Sequence, residues 1–355
     1  MKAIQVIDTL DAGGAEKMAV NCANALAGKI EASHICCTRR EGLLRNTIKA
    51  EVGFLFLNKR SSLDFGAFRK LLIYVKKHQI DIVHAHSTSI FLCTLLKIYL
   101  GSKIRLIWHD HYGNSEFLED RPTILLKLLS VHMDGIIAVN QKLAKWSRTH
   151  LKCFNIQVIR NFILPKTSSL QSFKLLKGSP TDFKFICVAN LRPQKDHISL
   201  LEAFEKLDLE NVSLHLLGKG FQDDYSLQVL KKIENSKRKD TIFYYGSQED
   251  VNAYLNEADV AILSSISEGL PLALLEYGFA GLPVIYTKVG QCPEVMGNYG
   301  LQVPPSSVPA LSSAMKSMYL KPELKQKGLS FRERIELNYS AAMNVTEIID
   351  FYTKS

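Results

Sequence analysis

The sequence predicts an α/β protein built from two doubly wound domains, and three observations carry that expectation. Short strand-like apolar runs alternate with helical patterns along nearly the whole chain, the order that builds parallel sheets covered on both faces. At 355 residues the chain is longer than one typical core. Charge divides it too: residues 1–165 carry a net +10 and residues 166–355 a net −1.

In the first half, Lys2–Asp8 reads as the first strand and Glu16–Leu26 as a helix, joined by a turn holding Gly13 and Gly14. A glycine pair at a strand-to-helix turn lets backbone approach a ligand closely. The turn is not GxGxxG, and no acid ends a second strand at the right distance, so a dinucleotide site is disfavoured. Strands and helices then alternate over Ser33–Thr38, Gly53–Asn58, Phe65–His78, Ile82–His84, Phe91–Leu100, Arg105–Trp108, Ile124–His132 and Gly135–Val139.

His84, His86, His109 and His111 fall at strand ends or just beyond, where parallel sheets bind ligands. His84, inside an apolar run, reads as structural. A neutral imidazole at His109, with His111 as the alternative, suits a hydrogen bond to a bound ligand. On the helix over Leu63–Lys77, Arg69, Lys70, Lys76 and Lys77 share about 120° of arc. That face reads either as ordinary solvated surface or as a docking face for anionic lipid.

A strand at Gln157–Ile163 leads into Leu164–Pro180, rich in Ser, Lys and Pro and therefore a linker. The second half opens with a strand over Lys184–Ala189. Asn190, Arg192 and Lys195 follow it, and a cation there is well placed for a diphosphate. His215–Gly218 and Thr241–Gly246 read as strands ending in glycine turns, with Tyr244 and Tyr245 as core residues. Helices are expected at Ala310–Tyr319 and Arg332–Tyr352.

The densest signal lies between Ala258 and Glu294. Val260–Leu263 is an unbroken apolar strand, Ser264–Glu268 a polar turn, Pro271–Phe279 a helix and Pro283–Tyr286 the next strand. Gly269 allows a sharp turn, and Pro271 suits the first helical position. Glu268 thus sits beyond a strand's carboxyl end, beside a helix N-terminus that favours phosphate. Glu276 follows eight positions later, at most about 12 Å along the axis. Two solvated acids, or two carboxylates bracketing a nucleotide-sugar, both fit that spacing. The apolar neighbours of Glu276 favour the second, since an acid there needs a partner.

Ser265-x-x-Glu268-Gly269-Leu270-Pro271, followed by Leu275-Glu276 and Gly281-x-Pro283-Val284, resembles the signature of GT4-type retaining glycosyltransferases. The resemblance implies a GT-B architecture: two Rossmann-like domains, 1–165 on the acceptor side and 166–335 on the nucleotide-sugar side, facing a cleft. A last helix, 336–355, would cross back to the first domain. It implies that Glu268 contacts the donor sugar, Glu276 the ribose and Lys195 the phosphates. The Gly13-Gly14-Ala-Glu16 turn is similar to the family loop facing diphosphate and acceptor. His109 matches the histidine facing the reaction centre, His86 another family position, and Gly246 a turn near the base. Asn190 stands where the family carries an arginine, with Arg192 as the nearby substitute. Val289-Gly290-Gln291-Cys-Pro293-Glu294 resembles the family's Gly-Gly-x-Pro-Glu turn, with Gln291 replacing a glycine.

The expected reaction is glycosyl transfer with retention, from a nucleotide diphosphate sugar (UDP-sugar favoured) to a saccharide or lipid-linked acceptor in surface polysaccharide or glycoconjugate assembly. No cofactor is expected. With no Asp-x-Asp pair to hold it on the diphosphate, no metal is expected either. A nucleotide-sugar epimerase of similar fold and a non-catalytic basic membrane- or polyanion-binding module are the alternatives. The basic first half implies an anionic partner. A membrane surface fits better than nucleic acid, for which no motif is present. Seven cysteines without CxxC pairs read as buried thiols of a reducing cytoplasm. The N-terminus resembles a first strand more than a signal peptide, and no apolar run is long enough to span a bilayer. The expected location is cytoplasmic, reaching the inner face of the cell membrane peripherally.

Overall fold

The computed structural model describes residues 1–164 and 175–354, so much of the expected linker at Leu164–Pro180 lies outside the described residues. The chain divides into two compact units, Met1–Leu164 with Ser340–Ser355, and Pro165–Tyr339.

The first unit runs β1 (Lys2–Thr9), α1 (Gly14–Leu26), β2 (Ala32–Arg40), β3 (Gly53–Phe56), α2 (Phe65–His78), β4 (Ile82–His86), α3 (Ile90–Leu100), β5 (Arg105–Asp110), α4 (Ile124–Leu129), β6 (Gly135–Ala138), α5 (Gln141–His150) and β7 (Ile156–Val158). Its strands form one parallel sheet in the order β3-β2-β1-β4-β5-β6-β7. Alternation along the strands feeds two cores. Ile4, Val6, Val83, Ala85, Leu106 and Trp108 pack against Leu71 and Val75 of α2 and Leu92 and Leu96 of α3. Ile7, Ile35 and Cys37 pack instead against Ala19, Val20 and Ala23 of α1. Helix starts follow local chemistry: Asp64 Oδ1 accepts from Ala67 N at 2.9 Å and Asn140 Oδ1 from Leu143 N at 2.8 Å.

The second unit runs β8 (Phe183–Val188), α6 (His197–Glu205), β9 (Val212–Leu217), α7 (Asp224–Glu234), β10 (Ile242–Tyr244), α8 (Val251–Leu255), β11 (Val260–Leu263), α9 (Leu272–Phe279), β12 (Val284–Thr287), α10 (Cys292–Met296), β13 (Gly300–Val303), α11 (Val308–Leu320) and α12 (Gln326–Asn338). Its parallel sheet has the order β10-β9-β8-β11-β12-β13. The order reverses between β8 and β11, which makes that crevice the ligand-type switch point of the sheet.

The structure departs from the sequence reading at several boundaries. The helix expected over Arg332–Tyr352 is two helices, α12 and α13 (Ala341–Thr353), broken at Tyr339 and Ser340. Helix α13 packs into the first unit, where Phe351 and Tyr352 are buried. Pro271 is the N-cap of α9 with extended backbone, one position before the expected first turn. Strand β5 continues to Asp110, so His109 lies inside the sheet.

Candidate active site

Two loops flank the switch crevice of the second unit, one after β8 carrying Lys195 and one after β11 carrying Glu268. Lys195 Nζ lies 2.5 Å from Glu268 Oε1, and Ser265 Oγ donates to the same oxygen at 2.6 Å. Glu268 is almost fully covered, whereas Lys195 keeps about a quarter of its side chain in solvent. The ammonium is therefore the accessible end of a charge-assisted pair.

Backbone bonds lock the two loops together. Ser264 Oγ donates to Lys195 O at 2.9 Å, and Ile266 N to Gln194 O at 2.8 Å. Thr287, at the end of β12, donates through Oγ1 to Ser265 O at 2.6 Å. Gly290 presses against the Glu268 turn: a Cβ there would lie 2.1 Å from Glu268 O, and its φ is +50°. Below the loops, Tyr277 of α9 is wholly buried, accepting from Val188 N at 2.7 Å and donating to Ile262 O at 3.2 Å. This one phenol ties α9 to both central strands, and burial holds it well above the usual tyrosine range.

The remaining expected donor-side residues lie on the loops and helices of the same unit. Leu270 is buried beside Gly269 and Pro271, and Glu276 is buried on α9. Asn190 accepts through Oδ1 from Lys219 N at 2.8 Å, so it braces the loop after β9. Arg192 stacks on Phe221, its guanidinium 3.5 Å from the ring centroid, and lies 3.8 Å from Asp223. Its charge is shared with that acid, and its side chain stays partly exposed. Gly246 accepts through its carbonyl from Gly218 N at 2.9 Å.

In the first unit the reversal falls between β1 and β4. Gly13 caps α1 with extended backbone, and Gly14 is exposed with open space around it. Glu16 folds back over Gly13 and accepts from Thr9 Oγ1 at 3.3 Å. Burial raises its carboxyl pKa, with Asp11 and Asp8 adding to the effect.

His109 departs from expectation. It is fully buried, with neither ring nitrogen bonded to any described residue, and stacks against His84, His86 and His111. In this arrangement His109 has no solvent-exposed surface. A strand end seen in sequence does not say which face or depth its side chain takes. His86 is buried as well, bonded to Gln5 Oε1 at 2.8 Å and to His111 at 2.9 Å. Asp110 forms a buried two-pronged pair with Arg121 at 2.7 and 2.8 Å, and Arg121 sits between Tyr112 and Trp146. Sequence reading missed Ser264, Thr287 and Arg121. A polar residue closing an apolar strand, as Thr287 does, is the signal that was available.

Two parallel sheets, each with helices on both faces and a switch point, make up the GT-B fold. Comparison with known proteins agrees. A family model described as Glycosyl transferases group 1 matches residues 171–330, and one described as Glycosyltransferase Family 4 matches residues 12–166. The chain is 27% identical over 243 residues to the N-acetyl-alpha-D-glucosaminyl L-malate synthase of Bacillus anthracis, covering 66% of this chain and 63% of that protein. It is 23% identical to the UDP-Gal:alpha-D-GlcNAc-diphosphoundecaprenol alpha-1,3-galactosyltransferase of Escherichia coli, covering 64% and 62%. In both cases it spans less than two thirds of the relative's length. Among solved structures, Anabaena HepE in complex with UDP and glucose superposes with a TM-score of 0.82 over 100% of both chains, at 14% identity. The chain belongs to the GT4-type glycosyltransferases.

Proposed function

We propose that this chain transfers a sugar from a nucleotide diphosphate sugar, UDP-sugar favoured, to a saccharide or lipid-linked acceptor with retention of configuration, in surface polysaccharide or glycoconjugate assembly. The observation that carries this reading is the Lys195–Glu268 pair in the switch crevice of the second unit. Cleaving the bond from the anomeric carbon to the diphosphate leaves negative charge on phosphate oxygens. A fixed ammonium and the backbone N–H groups at the start of α9 neutralise that charge without reorganising. Glu268 then takes sugar hydroxyls and Glu276 the ribose, with the acceptor held by the first unit. No metal is required on the diphosphate, so added Mg²⁺ or Mn²⁺ leaves the rate unchanged. The printed names of the relatives support the substrate classes, since one uses UDP-Gal and a diphosphoundecaprenol-linked acceptor.

The test is a thermal-shift panel of UDP, GDP, ADP and their sugars, followed by product analysis with the sugar that binds. Saturation near 100-fold over Kd stabilises by about 2.7 kcal/mol. A product formed from donor alone, with no acceptor consumed, would favour the epimerase. Anomeric coupling in the product separates retention from inversion.

The acceptor-side unit also carries a membrane-facing surface on this reading. Phe91, Leu95, Ile98 and Tyr99 form one exposed stripe on α3, and Ile124, Leu125 and Leu128 are exposed on α4, with Val131 just beyond. An ordinary surface helix turns polar residues outward. Beside the stripe, Phe68 of α2 packs edge-on to Tyr99 and Lys76 lies over the same ring, so Lys76 rims the apolar surface. Apolar side chains bordered by Lys76, on the helix that also exposes Arg69, Lys70 and Lys77, match the chemistry of an anionic bilayer surface. Among the described residues no helix is long and apolar enough to cross a membrane.

A further inference from the structure

Between α1, α13 and the sheet of the first unit lies a polar layer that sugar transfer does not use. Gln5, His84, His86 and His109 all point to this side, with His86 and His109 in register on neighbouring strands. Tyr352 of α13 satisfies part of it, its hydroxyl 2.6 Å from His84 Nδ1 and 3.2 Å from Gln5 Nε2. His109 has no such partner on either nitrogen among the described residues. A buried imidazole with both nitrogens unbonded is costly and calls for an occupant.

Cys22 of α1 faces the same point. Its sulfur and one nitrogen each of His86 and His109 lie within 4.8 Å of one another, and all three residues are buried. We propose that Cys22, His86 and His109 form a zinc site that ties α1 to the ends of β4 and β5. One thiolate with two imidazoles is a borderline-soft set that suits Zn²⁺. Bonds of about 2.0–2.3 Å bring such ligands closer together than they lie here, a contraction that small side-chain rotations supply. Burial pushes the Cys22 thiol up, so the free site holds it protonated. Zinc binding forms the Zn–S bond and releases that proton to solvent. His86 gives up one of its two present partners on ligation. His111, whose ring centroid is 4.0 Å from that of His109, offers a further imidazole for a fourth position.

This site is independent of the sugar-transfer reading and is tested without an activity assay. The chain is purified after zinc-replete expression, its metal content is measured, and the metal-free protein is titrated with Zn²⁺ against a chromophoric chelator and with Co²⁺ by absorption. The expected result is one zinc per chain and a thiolate-to-cobalt charge-transfer band, both lost in Cys22→Ala. The first unit's cooperative melt, followed by calorimetry, serves as the check that the variant is folded. Zinc retained unchanged in Cys22→Ala, or Co²⁺ bound by the wild-type chain without a thiolate band, overturns the proposal. So does a wild-type chain that takes up no zinc, whether or not the variant folds.

Discussion

At the residue scale, the proposed function rests most heavily on Lys195. It is the exposed end of a short ion pair whose other end, Glu268, is already fixed by Ser265. Lys195→Ala is expected to lower kcat by about 10²–10³, the range for removing one preorganised charge-stabilising group. Steady-state kinetics with the donor found in the nucleotide panel checks this. The motif made Lys195, Glu268 and Ser265 legible in sequence, because each lies at a fixed offset from a strand end. Side-chain placement was not legible: Arg192 lies over the Phe221 ring, and His109 is fully buried in the sheet. Two other buried histidines set an acid limit. Burial lowers His197 to about 4, with Lys195 nearby, and His215 to about 4, where Ser213, Tyr245, Phe243 and Lys184 surround it. The unfolded chain takes up these protons near pH 6.5 and the folded chain does not. The stability is therefore complete above about pH 6.5 and falls toward pH 4, by up to about 1.4 kcal/mol per pH unit for each histidine. Melting temperature against pH checks the sign, and His215→Gln is expected to flatten the slope by about one proton.

At the scale of elements, the strand–turn–helix around Glu268 was readable because composition dictates it: an apolar strand, Gly269, Pro271 and a helix ended by Gly281. What holds the turn in place comes from elsewhere in the chain, from Thr287 on β12 and from Gly290. Gly290→Ala places a methyl group against Glu268 O at a positive φ. It is expected to weaken UDP binding and to cost roughly 1–3 kcal/mol. Denaturant melts with and without UDP measure both effects. Helices α3 and α4 show the same limit of sequence. Their apolar positions are plain, but the sheet buries one side only, leaving Phe91, Leu95, Ile98, Ile124 and Leu128 outside. Vesicles containing anionic lipid are expected to bind the chain, with loss on raising salt and on replacing Ile98 and Leu128 by Ser. Equal binding to neutral vesicles at all salt concentrations contradicts a docking face of this chemistry.

At the scale of the molecule, the chain leaves the first unit at Leu164 and returns to it at Ser340. Sequence reading expected a last helix but ran it through Tyr339, because nothing in its apolar spacing marks the break. The return is well anchored: Phe351 and Tyr352 are buried, and Gly135 leaves room for the Phe351 ring. Ending the chain at Tyr339 removes that packing and strips His84 and Gln5 of the Tyr352 hydroxyl. The truncated chain is expected to lose the first unit's cooperative melt while the second unit still binds UDP; calorimetry resolves the two. The most direct measurement of the donor site is UDP binding by titration calorimetry to the wild-type chain and to Lys195→Ala. Saturable binding to the wild type, greatly weakened in the variant, is the expected result. Equal binding to both, or none to the wild type by UDP or any other nucleoside diphosphate, contradicts a diphosphate held in the crevice between β8 and β11.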